Sequence, residues 1–182
     1  MLRCHLSCSV TKLHAYCSGI PLNQYVYFAL RSRCITPQEI TEALGIEPDE
    51  TRVHNPRRLP VDPARPFFQS WKVVCREPGL RVDEQITHGL DRLRPRTDRI
   101  AELMKRFNKG EDEEEQGLQA VLEVVRYFND DEQQAEARQS EEREEPNLFG
   151  WCLDREAIAF LAATDAFLDV DEYDMTPSTP ED

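Results

Sequence analysis

No run of eighteen apolar residues occurs in this 182-residue chain, so no transmembrane helix is expected. Near the start, Arg3 and Lys12 stand among Cys4, His5, Ser7, Cys8, Ser9 and Thr11. These polar residues break any apolar stretch, and no secretory signal is expected. The seven glycines are dispersed, which excludes a glycine-rich loop that cradles phosphate. A nucleophile elbow, a two-histidine helix motif and a Ca²⁺ loop are all missing. The six cysteines, at 4, 8, 17, 34, 75 and 152, form no paired framework. They point to free thiols in a reducing, cytoplasmic compartment. Cys4, Cys8, His14 and Cys17 supply zinc-type atoms, but their spacing matches no closed zinc module and no second half-site follows.

Basic residues are the scarcer charge, 22 Lys/Arg against 35 Asp/Glu, for a net −13. The imbalance is local. Residues 1–108 carry 17 basic and 12 acidic side chains (+5), and residues 109–182 carry 5 and 23 (−18). Such an acidic half repels nucleic acid and anionic membrane and favours a basic protein partner. Solvation by acidic linkers is the simpler use of the same charge. Paired acids occur here only in runs, where they stay ionised, and this is not the signature of a tuned acid/base pair.

Residues 1–23 show no hydrophobic period and read as a flexible extension. One ordered domain is expected over 24–174, interrupted by acidic inserts at 109–117 and 130–146 and followed by an acidic tail, 175–182. Tyr25–Leu30 is a compact apolar run rich in aromatics, a buried strand. A helix follows with Thr36 at the N-cap, Pro37 at N1 and Glu39 closing a capping box. Ile35 and Ile40 form its staple, and Ile40, Ala43 and Leu44 its apolar face. Gly45 supplies a left-handed end, and Pro48 stops continuation. A short strand is predicted near Arg52–His54, then a Pro/Arg-rich loop, then a half-buried strand, Ser70–Cys75, in which Trp71, Val73 and Cys75 alternate.

Asp83 is predicted to cap a helix with Ile86, Leu90 and Leu93 on one face. Pro95 ends or kinks it, and Thr97 caps a second segment with Ile100, Leu103, Met104 and Phe107 at helical spacing. Leu118–Phe128 reads as a strand apolar on both faces, and so interior to its sheet. A further strand is predicted over Leu148–Leu153. After it come a helix capped by Asp154, with Ile158, Leu161 and Ala162 on its face, and a last strand, Phe167–Tyr173. The expected fold is α+β: a mostly antiparallel sheet with helices on one face, a ferredoxin-like βαββαβ core and an added βαβ unit that echoes the first.

The Tyr25–Leu30 and Ile35–Leu44 unit with its Gly45-Ile46-Glu47-Pro48 turn, then Trp71, Val121–Phe128, Gly150-Trp151 and Asp169-Val170-Asp171-Glu172-Tyr173, together carry a resemblance. Over roughly residues 24–174 the chain resembles the bacterial proteins catalogued as domain of unknown function 4279. Order and spacing carry the likeness. The chain departs from the pattern at Asn55, where the family usually has glycine, and in its long acidic insert. The resemblance implies a fold and a bacterial origin, and supplies no catalytic residue and no cofactor.

Three groups of residues are candidates for chemistry. Cys34 precedes a helix start, where the helix dipole lowers a thiol pKa, but no basic partner is placed beside it. His54, Arg57 and Arg58, with Trp71, could hold an anion, since arginine forks match carboxylate or phosphate. Pairing with the chain's own acids is the simpler role for these arginines. Asp169, Asp171, Glu172 and Asp174 offer oxygen ligands to a hard cation. Strand alternation, however, sends Glu172 to the face opposite Asp169 and Asp171, and no metal is expected. The leading expectation is a non-enzymatic interaction module with an acidic binding face, an immunity or inhibitor-type protein being one version. The alternative is a small-anion-binding domain or an enzyme using the Arg-rich loop, 52–66.

Overall fold

The structure is a computed structural model, and it describes residues 23–33, 35–53, 69–108, 117–128 and 150–176. Among these, strands β1 (Asn23–Ser32), β2 (Glu50–Arg52), β3 (Gln69–Cys75), β4 (Leu118–Phe128) and β5 (Ala166–Asp174) form one sheet in the order β2-β3-β1-β4-β5. Pairing is antiparallel between β1 and β3, β1 and β4, and β2 and β3, and parallel between β4 and β5. Helices α1 (Pro37–Leu44), α2 (Val82–Asp91), α3 (Thr97–Phe107) and α4 (Arg155–Ala163) all contribute to one core. They meet the sheet face that carries Val26, Phe28, Leu30, Trp71, Val73, Leu122 and Val124. The fold is therefore α+β with a mostly antiparallel sheet.

The α1 boundaries follow from local chemistry. The Thr36 hydroxyl accepts the Glu39 N–H at 3.2 Å, and the Glu39 carboxylate accepts the Thr36 N–H at 2.8 Å. The Thr36 N–H and then the Thr36 hydroxyl, both donating to the Glu39 carboxylate, hold it below its ordinary pKa. Gly45 ends the helix at φ 66°, where a side chain would be strained, and donates its N–H to the Thr41 carbonyl. Ile35, Ile40 and Leu44 are buried, whereas Ala43 is exposed. Thr36→Ala is expected to cost about 1 kcal/mol in urea unfolding. The Glu39 carboxyl is depressed in the fold, so its contribution is present above about pH 4.3 and fades as pH falls through its lower folded value.

Several boundaries move for tertiary reasons. The short strand lies at Glu50–Arg52, two residues before the expected Arg52–His54. Asp49 sets its register. Asp49 donates its N–H to the Lys72 carbonyl, its carboxylate accepts the Val74 N–H at 2.7 Å, and Arg92 donates to the same carboxylate. Helix α2 begins at Val82, with Arg81 at the cap in place of Asp83. The Glu84 carboxylate accepts the Arg81 N–H at 2.9 Å, which brings the first turn forward and lets Val82 be buried. A single 3₁₀ turn at Arg94–Arg96 carries Pro95 between α2 and α3. Thr97 is therefore the first residue of α3 rather than its cap, and donates its hydroxyl to the Arg94 carbonyl.

The strand expected over Leu148–Leu153 is not formed among its described residues, which have no regular structure. Trp151 and Leu153 pack part-buried on the core from this coil, so their apolar character reflects plugging rather than pairing. Among the described residues, β4 precedes α4 and pairs in parallel with β5. Asp154 does cap α4, accepting the Ala157 N–H at 2.6 Å. The helix buries Ala157, Phe160 and Leu161, leaving Ile158 and Ala162 exposed. Phe160 meets Phe28 edge-to-face, with ring centroids 5.4 Å apart, and this contact sets the helix rotation. As Trp151 is only half-buried, Trp151→Ala is expected to cost about 1–2 kcal/mol by chemical denaturation, well short of a core tryptophan.

β4 is buried on both faces, as its pattern indicates: Leu118, Ala120, Leu122 and Val124 face the helices, and Val121 and Val125 face the other side. It is interior, with β1 and β5 as neighbours. Asn108 clasps its first residue, donating to the Leu118 carbonyl at 2.8 Å and accepting the Leu118 N–H at 3.1 Å.

Candidate functional site

The structure describes only some of the residues singled out in the sequence. Cys34, His54, Arg57, Arg58, Cys4, Cys8, His14 and Cys17 lie outside the described residues, as do the acidic insert 130–146 and nearly all of 109–117. Trp71 is 0% exposed, and its indole N–H donates to the Thr41 hydroxyl at 3.0 Å. No face of that ring is open to a ligand. The β5 acids alternate as expected, with Asp169 and Asp171 in register with Glu123 and Val125, and Glu172 with Arg126. Arg126, almost wholly buried, donates to the Glu172 carboxylate at 2.8 Å. Glu172 is thus committed to a cross-strand ion pair, and among the described residues no group of His, Cys, Asp and Glu could hold a metal ion.

The face of the sheet opposite the helices was not anticipated as a site. Strand register puts Tyr25, Tyr27, Ala29 and Arg31 of β1 there. Lys72, Val74 and Arg76 come from the β3 side, Glu123, Val125 and Tyr127 from β4, and Phe167, Asp169, Asp171 and Tyr173 from β5. Among the described residues, five of the six groups whose ionisation is shifted lie on this face: Tyr25, Tyr27, Lys72, Arg76 and Tyr173. Burial and then Glu123 push the Tyr27 hydroxyl up. Burial draws Lys72 down, and its ammonium lies 3.7 Å from the centroid of the Tyr27 ring. The Asp171 charge raises Tyr173, which stacks on Tyr127 with centroids 5.2 Å apart. The Arg31 guanidinium donates to the buried Glu123 carboxylate and to the Tyr27 hydroxyl. The alternation in β1 and β4 carried the signal, since the Tyr25/Tyr27 and Val121/Val125 rows lie opposite the core-facing row.

Two other arrangements have catalytic residue types without catalytic geometry. The Cys75 thiol lies 3.5 Å from His88 Nδ1, and Glu77 approaches that same nitrogen at 3.8 Å. A nucleophile–base–carboxylate relay needs the carboxylate on the far ring nitrogen. A cleft of about 460 Å³ between α2 and the start of α4 is rimmed by Glu84, Asp91, Asp154 and His88. Three of its carboxylates are already engaged: Glu84 with the Arg81 N–H, Asp91 with Arg94, and Asp154 with the α4 N-terminus.

Among the described residues, exposed apolar side chains gather on β5 and its surroundings. Seven large apolar side chains are exposed among the described residues, and six of them fall between Ile158 and Met175. No described helix is long and apolar enough to cross a membrane. No curated protein and no solved structure matches the chain. The model of one family, described as Domain of unknown function (DUF4279), matches residues 22–175, from just before β1 to just after β5. That span takes in every described strand and helix, and the chain belongs to the DUF4279 family.

Proposed function

We propose that this chain is a non-enzymatic protein-interaction module that receives a basic protein partner on its C-terminal α4–β5 surface. One observation carries the reading. Ile158, Phe167, Leu168, Val170, Tyr173 and Met175 are 37–53% exposed, and they lie among Asp154, Glu156, Asp165, Asp169, Asp171, Glu172 and Asp174, with Arg155 the one basic residue in that stretch. Exposed apolar side chains in a cluster mark contact surfaces, and the carboxylates around them select a cationic partner. The bacterial cytoplasm is the compartment that suits the free thiols of Cys75 and Cys152. A nuclease toxin is one partner with the required basic surface, and the chain would then act as its inhibitor by covering that surface.

A photo-crosslinking residue at Leu168, with Gln38 on α1 as a control position, tests this in growing cells. Basic proteins are expected to be trapped from position 168 alone. Their association rate should fall as salt rises, because exposed charges are screened beyond about 8 Å at physiological ionic strength. Trapping of an acidic partner that is lost on Arg57→Ala/Arg58→Ala substitution would instead assign binding to the Arg-rich loop.

A further inference from the structure

On the reading that the C-terminal surface takes a basic partner, we infer that the partner binds as an added strand along the outer edge of β5. It is an extended segment in which basic and apolar residues alternate. β5 ends the sheet order, so among the described residues its outer side has no strand neighbour. Natural sheets blunt such edges with short strands, proline or lysine. β5 runs nine residues without proline or lysine and keeps apolar side chains exposed along it. Among the described residues its acids alone guard it, and acids do not repel a basic strand.

The register gives the two sides of β5 different chemistry. Phe167, Asp169, Asp171 and Tyr173 share the helix-free side, two carboxylates between two aromatic rings. A strand laid alongside would bring its own side chains within about 5 Å of that row. Lysine or arginine there would gain an ion pair and a ring face together. Leu168 and Val170 lie on the other side, where α4 packs against β5 and leaves Ile158 exposed. Apolar residues suit that row. Glu172 in the same row is already bound to Arg126 and calls for no second cation.

A second copy of the chain fits poorly. Any antiparallel pairing of two β5 strands centred on residue 169, 170 or 171 sets carboxylates of Asp169 or Asp171 directly opposite one another, which is destabilising. The Asp169 carboxylate also accepts the Val170 N–H at 3.0 Å. It therefore occupies a backbone donor that an added strand would use, and a cation that draws Asp169 away releases that donor. Side-chain charge and strand addition are coupled through this one residue.

The test is an amide NMR titration of the full chain at low salt with two synthetic peptides of equal composition. One alternates lysine and valine, and the other segregates them into blocks. The alternating peptide is expected to bind about tenfold more tightly, since only it presents each residue type to its matching row. It should slow hydrogen exchange at Leu168, Val170 and Glu172. Val170→Pro, tolerable on an edge strand, removes the outward donor and should abolish that protection. Asp169→Asn/Asp171→Asn should weaken the alternating peptide about tenfold. Equal binding of both peptides, or tight binding without amide protection on β5, overturns strand addition while leaving the basic-partner reading in place. Binding of neither peptide overturns the basic-partner reading and the inference with it.

Discussion

Trp71→Ala is expected to lower folding stability by about 3–5 kcal/mol, seen as a reduced urea midpoint with an unchanged slope. Trp71 is the largest fully buried side chain, it sits on β3 under α1, and its N–H bonds to Thr41. Alanine removes the ring, opens a cavity and leaves the Thr41 hydroxyl without its donor. Phenylalanine in its place would retain most of the volume and lose the bond, at about 1–2 kcal/mol. A Trp71→Ala loss below about 1 kcal/mol would show that the β3–α1 contact is not part of the folded core.

Arg31→Ala is expected to cost about 2–4 kcal/mol, because it strands the Glu123 carboxylate on the helix-free face. The Glu123 side chain is 8% exposed against 28% for Arg31, so the desolvated charge is the glutamate. Partial access of water to Arg31 and the nearby Lys72 ammonium keep the cost below that of a fully buried pair. Glu123→Leu combined with Arg31→Met should recover most of the loss, since an apolar pair needs no desolvation. Thermal melts of the two singles and the double measure the coupling. A double variant no more stable than Arg31→Ala alone would mean that packing around Arg31, rather than the charge left on Glu123, sets the cost.

What could be read from residues alone is what depends on neighbours in the chain. The α1 cap, the Gly45 terminus, the Asp154 cap and the two-faced burial of β4 each follow from residues within a few positions. The α+β class follows from strands and helices of this kind in this order. The acidic character of the C-terminal half was equally plain, being a matter of counting.

Tertiary structure decided what depends on distant partners. The β2 register rests on Asp49 reaching the Lys72 carbonyl, the Val74 amide and Arg92. The apolar run at Gly150–Leu153 pairs with no strand and plugs the core. The α4 face turned from Ile158 to Phe160 because Phe28 lies opposite. The same logic governs the proposed site. Alternation showed that β5 has two chemically different sides. Only the sheet order placed it at an edge among the described residues. Local sequence specifies caps and periods because they are satisfied within a turn or two. An edge is defined by which strand is not beside it, and that depends on the packing of the whole sheet.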